Sequence, residues 1–364
     1  MKKLSKNAKS NAVTYGIVIV FFLVMQLLSG TGHLSNSLSG QLIPICVYIC
    51  MAVSLNLTVG ILGELSLGHA GFMSVGAFSG VIAAMCLQPA LASGPVRLLI
   101  AMVIGGVMAA IVGVLVGVPV LRLRGDYLAI VTLAFGEIIK NILNNLYVAY
   151  DAEGLHIKLL TVINKSELAD GGFMIINGPQ GATGITKLAT FTAGFLLILF
   201  TLFVVLNLIH SRSGRAIMSI RDNRIAAESV GINVTKYKLM AFVVSAALAG
   251  MAGALYAMNF TTIAAKKFDF NTSILVLVFV VLGGMGNIRG SIIAAAVLYV
   301  LPELLRAVNN YRMLFYAIVL IVVMLVTNNP QMKSLTERAG SWFSGLFRKP
   351  KPAAPAGEGG APDE

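Results

Sequence analysis

The chain has 364 residues, of which 57% are hydrophobic and only 12% charged, with a mean hydropathy of +0.86. A water-soluble fold of that composition lacks the polar surface to cover itself, so the sequence reads as an integral membrane protein. The net charge of +12, which in another setting would point to nucleic acid, is accounted for by basic loops gathered at one membrane face.

A helix needs about 20 apolar residues to cross a hydrocarbon core. Such runs are expected at 13–29, 41–60, 66–87, 98–121, 127–148, 189–209, 239–258, 272–286, 290–305 and 312–327. The runs are continuous rather than alternating, and in lipid every backbone group must find its partner internally, so helices are predicted rather than barrel strands. The fold class is all-α: a polytopic helical membrane protein of about ten spans, or eight if 272–305 is a re-entrant hairpin. The first run follows Lys2, Lys3, Lys6 and Lys9, is long for a signal peptide and precedes no Ala-x-Ala site, so it counts as the first span. Cys46, Cys50 and Cys86 fall inside spans, where a thiol acts as a small hydrophobe, and no metal-ligand spacing is present.

Lysines and arginines in short loops set the orientation. The N-terminal segment 1–12, the segment 211–238 with Arg212, Arg215, Arg221, Arg224, Lys236 and Lys238, and the C-terminal segment 328–345 are expected in the cytoplasm. Residues 151–188, whose lysines are balanced by Asp151, Glu153, Glu167 and Asp170, are expected outside. The transmembrane domain is then 13–327, and the Pro-, Gly- and Ala-rich end, 346–364, is expected to be a disordered tail.

Three regions interrupt the apolar pattern. "NLTVGILGELSLGHAGFMSVGAFSG" surrounds Glu64, Ser66 and His69 with glycines, which serve either tight helix packing or a lined pathway. "LRLRGDYLAIVTLAFGEIIKNILNN" places Glu137 and Lys140 at pairing distance in mid-span, on one helical face with Asn141 and Asn144. A structural ion pair and a translocation path both explain that face. "VVLGGMGNIRGSIIAAAVL" breaks a helix around Asn287 and Arg289, as a re-entrant turn or a tight connection does.

No G-x-x-x-x-G-K-[ST] phosphate loop, H-E-x-x-H pair or G-x-S-x-G elbow is present, so the chain is not expected to be an enzyme or to hydrolyse a nucleotide itself. One membrane role for it is transport. A self-sufficient ion-coupled secondary transporter would use Glu64, His69 and Glu137 as a proton relay, but Lys140 beside Glu137 favours a carboxylate that stays ionised.

The segment "SRSGRAIMSIRDNRIAAESVGINVTKYK" carries charge and small residues between two apolar runs. Asp222 is expected to cap a short helix, Ala226 and Ala227 to favour it, Gly231 to end it in the left-handed region, and Thr235 to cap the next span. Small residues suit a helix that docks in another protein's groove.

That segment, followed by "GINVTKYKLMAFVVSAALAGMAGALYA", resembles the EAA-loop region of Liv-type permeases of high-affinity branched-chain amino acid ABC transporters. The stretches quoted above, with "NGPQGATGI", resemble that family's signatures in order. Ile225 stands where the generic EAA loop has Glu, Asn177 and Gln180 alter a Gly-Gly-Pro-Asn-Gly turn, and Ser291 and Ala294 replace a usual Pro and Gly. The resemblance implies a multi-pass permease subunit of a bacterial inner membrane importer for branched-chain, hydrophobic amino acids. It implies partners: two ABC ATPases, which bind the ATP, a second homologous permease and an extracytoplasmic amino-acid-binding protein, in contact with lipid. It implies no cofactor of the chain's own. Gly214, Arg215, Arg221, Asp222, Ala226, Ala227, Glu228 and Gly231 would form the ATPase-coupling element, and Glu64, Ser66, His69, Glu137, Lys140 and Asn141 are candidates for the path.

Overall fold

The computed structural model describes residues 6–31, 35–121, 126–151, 154–163, 172–305, 311, 314 and 317–321. The chain divides into two compact units, Met1–Ala307 and Val308–Glu364. In the second, residues 317–321 are helical. Most of the expected span 312–327, the segment 328–345 and the tail 346–364 lie outside the described residues, as do Arg122 and Arg124.

The first unit is built from α1 (Lys6–Gly30), α2 (Asn36–Asn56), α3 (His69–Cys86), α4 (Gly94–Val120), α5 (Asp126–Asn144), α6 (Phe191–His210), α7 (Arg212–Asp222), α8 (Arg224–Ser229), α9 (Val234–Ala257), α10 (Phe270–Gly283) and α11 (Ile288–Leu304). Among the described residues, seven helices are long and apolar enough to cross a membrane: α1, α2 with its extension, α3, α4, α5, α6 and α9. These seven match the first seven expected runs, and the expected count of ten is not confirmed among the described residues. The runs at 272–286 and 290–305 form α10 and α11, helices of 14 and 17 residues packed on one another and joined by a tight turn at 284–287.

α2 is the central element, with its apolar window wholly buried, whereas only 11% of the α1 window is covered. Ser35 caps α2 by accepting the Leu38 N–H, and the helix continues into a π-helical turn, Leu57–Leu62. Around it pack α6, α9, α10 and α11. α1 lies at the periphery, where Phe22 stacks on Phe195 at 4.0 Å and Thr14 Oγ1 accepts a 2.8 Å hydrogen bond from Arg289 Nε.

α3, α4 and α9 form a second tightly packed group. Their contact is made by small residues: Gly76 of α3 lies against the Gly250 backbone of α9, and Gly105 of α4 approaches both. Lipid tails are as apolar as leucine, so helices in a bilayer gain most by this close backbone approach.

One part of the fold departs from the all-helical expectation. A five-stranded antiparallel sheet, in the order β2-β1-β3-β4-β5, is formed by β1 (Leu146–Asp151), β2 (Gly154–Leu159), β3 (Phe173–Asn177), β4 (Ala182–Thr183) and β5 (Thr262–Ile263). The apolar run at 127–148 therefore does not stay helical to its end: α5 stops at Asn144 and the chain turns into β1. The sheet and the α7–α8 segment sit at opposite ends of α6 and α9, since each of those helices joins one to the other.

Candidate functional site

At the end away from the sheet, α6 hands over to α7 through Ser211, whose hydroxyl accepts the Gly214 N–H at 3.0 Å. Gly214 is buried, and a Cβ there would collide with the carbonyls of Leu208 and Ile209, so this tight corner admits only glycine. α7 is amphipathic. Ile217 packs with Leu57, Ile61, Leu62 and Ala241, while Arg215 is exposed and reaches back to the His210 carbonyl.

α8 follows after a single residue. Its cap is Asn223, whose Oδ1 accepts the Ala226 N–H at 3.1 Å, rather than the expected Asp222. Asp222 is engaged instead by Arg221, whose Nε and Nη2 both donate to its Oδ1. Gly231 ends α8 with φ +85°, as its sequence position predicts. Two hydrogen bonds, Gly231 N–H to Glu228 O and Ile232 N–H to Ala227 O, complete a left-handed stop with Ile232 packed near Ala227. Asn233, not Thr235, caps α9. Asn and Thr are both good cap residues, and the local turn decides between them.

The faces of α8 differ from the sequence expectation at one position. Ala226 is exposed, but Ala227 is 3% exposed and packs with Ile220 and Val234, so it holds α8 to the body. The outward face instead carries Ile225 and Val230, which are 79% and 75% exposed, with Glu228 paired to Arg224 at 3.0 Å. Large apolar side chains held outward on a capped helix are features of an interaction surface.

Arg221 is turned inward as well as along the surface. Its Nη1 donates to the Gly60 carbonyl at 3.1 Å, in the π-helical turn that extends α2. Beside it, Glu64 is ion-paired with Lys238 at the start of α9, where Lys238 is nearly enclosed. Asn56 accepts the Gly286 N–H at 2.8 Å and donates to Ser291 Oγ at 2.9 Å, joining α2 to the α10–α11 turn.

The candidate path residues do not form one line. Glu64 is held by Lys238, His69 shares a 2.8 Å hydrogen bond with Ser54, and Glu137 pairs with Lys140 as their spacing predicts. Ser66 is buried, and its Oγ has no hydrogen-bond partner among the described residues. Asn141 is exposed on α5. A proton relay through Glu64, His69 and Glu137 therefore has no connected hydrogen-bond route among the described residues.

Sequence reasoning missed Asp269. Glu137 and Asp269 line a small crevice with Gly71, Gly136, Phe268 and Ser273, between α3, α5 and the start of α10. Burial alone would raise the Asp269 carboxyl, but hydrogen bonds from Thr272 and Asn271, with the Lys140 ammonium, outweigh it and hold the pKa below the usual carboxylate value. The pattern Asp-Phe-Asn-Thr before an apolar run is a helix-start signal that marks this position in the sequence. No group of three or more His, Cys, Asp or Glu side chains able to hold a metal occurs among the described residues.

Membrane-length helices interrupted by polar breaks, with a short capped helix exposed at one end of the bundle, define a polytopic helical membrane protein of the permease type. The chain belongs to the family described as branched-chain amino acid transport system / permease component, whose model matches residues 37–324. It is 37% identical over 295 residues to the high-affinity branched-chain amino acid transport system permease protein LivM of Escherichia coli (strain K12), covering 77% of this chain and 66% of that protein. The LivM protein of Salmonella typhimurium is 36% identical with the same coverage. The chain thus spans just under two thirds of the length of these relatives. The fructose import permease protein FruG of Bifidobacterium longum is 24% identical over 314 residues, covering 83% of this chain and 86% of that one. No solved structure matches.

Proposed function

We propose that the chain is the membrane-spanning permease subunit of an ATP-driven importer for branched-chain, hydrophobic amino acids in a bacterial inner membrane. The observation that carries the coupling part is α8, a short helix capped at both ends, seated on the body through Ala227 and presenting Ile225, Ala226 and Val230 outward. A helix of this kind enters the cleft of an ATPase subunit, so that closure of two ATPases moves α7 and the helices behind it. The chain itself binds no nucleotide in this reading. A second homologous permease completes the pore, an extracytoplasmic binding protein delivers the amino acid on the sheet side, and both chain termini lie with α7–α8 in the cytoplasm. The polar face of α5 with Glu137, Lys140 and Asn141, together with Asp269, borders the path; the ionised groups suit the ammonium and carboxylate of a free amino acid.

Two measurements test this. The chain reconstituted with its ATPases, sister permease and binding protein takes up labelled leucine, isoleucine or valine only with ATP; uptake that persists with hydrolysis-inactive ATPases would instead indicate ion-coupled transport. For orientation, a cysteine at the exposed Ala226 is expected to resist membrane-impermeant thiol reagents in intact cells and to react in inverted vesicles. Labelling of intact cells would reverse the topology.

A further inference from the structure

Arg221 lies on the segment that the coupling reading turns toward the ATPase, yet one of its contacts runs the other way, into the body. The π-helical turn Leu57–Leu62 ends α2, so the Gly60 carbonyl is one of those a helix end leaves without an intrahelical donor. Arg221 Nη1 supplies that donor at 3.1 Å across 161 residues of sequence. The fit depends on missing side chains. A Cβ on Gly63, which also has φ +81°, would fall 2.6 Å from Arg221 Cγ, and a Cβ on Gly60 would run into the Gly286 backbone of the α10–α11 turn, which packs against this end of α2. Asn56 fastens that turn to α2 through Gly286 and Ser291. Nε and Nη2 donate to Asp222, which fixes the orientation of the fork from the surface.

We propose that Arg221 is a transmission residue: the guanidinium locks α7 to the end of α2, to which Asn56 fastens the α10–α11 turn, so that displacement of α7–α8 moves those three elements as one body. It is a positioning residue that acts through Gly60 and touches no substrate. The proposal rests on the reading of α8 as the ATPase-coupling helix. A lysine at the same place keeps the charge but offers one ammonium, which cannot bond Gly60 and Asp222 in the fixed geometry of the fork. The rest of the α7 seat, Gly214, Ile217 and Ile220, does not depend on Arg221, so the segment stays folded without it.

The test uses the full complex in phospholipid vesicles with labelled leucine as the probe. R221M and R221K are expected to copurify with the ATPases and to hydrolyse ATP, while leucine taken up per ATP falls about tenfold or more, the ratio set by one lost charge-assisted hydrogen bond. G63A, which displaces the Arg221 side chain, is expected to give the same loss of ratio. A second readout needs no uptake: a cysteine at Met285, 64% exposed in the turn, is expected to change its rate of thiol labelling on ATP binding in the parent chain and not with R221M. An unchanged ratio in R221M, or an ATP response at 285 that survives R221M, would overturn the proposal. Loss of the ATPases from R221M would also overturn it, by making Arg221 a partner contact. I225D separates the two layers: it is expected to release the ATPases, and an I225D complex with normal association and uptake strikes the α8 reading while the Arg221 results stand on their own.

Discussion

Replacing Gly76 by valine is expected to abolish the accumulation of folded protein. Any Cβ at this position meets the Gly250 backbone, and Gly105 closes the third side, so there is no flexible side chain to give way. α3 and α9 must separate, and in a bilayer that forfeits the close packing which holds them together. Overpacking in a protein interior costs about 1–3 kcal/mol where neighbours can shift, and a backbone obstacle puts this site above ~3 kcal/mol. Thermal unfolding in detergent, with size-exclusion recovery, measures it. Gly16 provides the control, since nothing lies within 4 Å of a Cβ there. G16A is expected to be neutral or slightly stabilising, because alanine is the better helix former. Equal behaviour of G76V and G16A would remove the small-residue contact from the list of what holds the bundle.

Replacing Lys238 by methionine is expected to destabilise the protein by about 3–5 kcal/mol, the range for stranding one member of a buried ion pair. The Lys238 side chain is 5% exposed and that of Glu64 is 17% exposed. In the Glu137–Lys140 pair the exposures are 34% and 20%, so K140M leaves a carboxylate with more access to solvent and is expected to cost less. The same unfolding assay ranks the two. Removing both charges, as K238M with E64Q, is expected to recover most of the loss, because paired removal leaves no charge unpartnered. If K140M proves the more damaging, the pair on α5 is the enclosed one and the placement of Glu64 needs revision.

The apolar runs showed most of the long helices because a 20-residue requirement is set by the bilayer and leaves a strong mark in composition. α8 was legible for a different reason: charge, two alanines and a terminal glycine coincide within 222–231, whereas the helix α7 before it was not expected. What escaped depends on contacts distant in sequence. Asp222 and Asn223 are adjacent, and both residue types cap well, so only Arg221's hold on Asp222 in the fold separates them. Ala227 faces inward because Ile220 and Val234 are there to receive it, a choice that a six-residue helix with two neighbouring alanines does not reveal. Glu64 reads as a neighbour of Ser66 and His69 in the sequence, while its ion-pair partner is 174 residues away. The sheet did leave a trace. Leu155, His156, Ile157, Lys158 and Leu159 alternate apolar and polar side chains with the period of a strand, a pattern distinct from the continuous apolar runs of the helices.

The short pairing of β4 with β5 has a mechanical meaning beyond closing a loop. β4 leads into α6 and β5 follows α9, and the bond between them is reinforced where Ile185 donates to Thr261 and both Leu188 and Ala189 donate to Met258. At the other end the same two helices are joined through α7 and α8. The path β4, α6, α7, α8, α9, β5 is therefore a closed frame, stapled along one short side. A force applied to the opposite side cannot slide one upright past the other without breaking the staple. The frame would instead tilt about its stapled edge, so that each upright, about 30 Å or more in length by its helical rise, swings most at the pushed side and least beside the sheet.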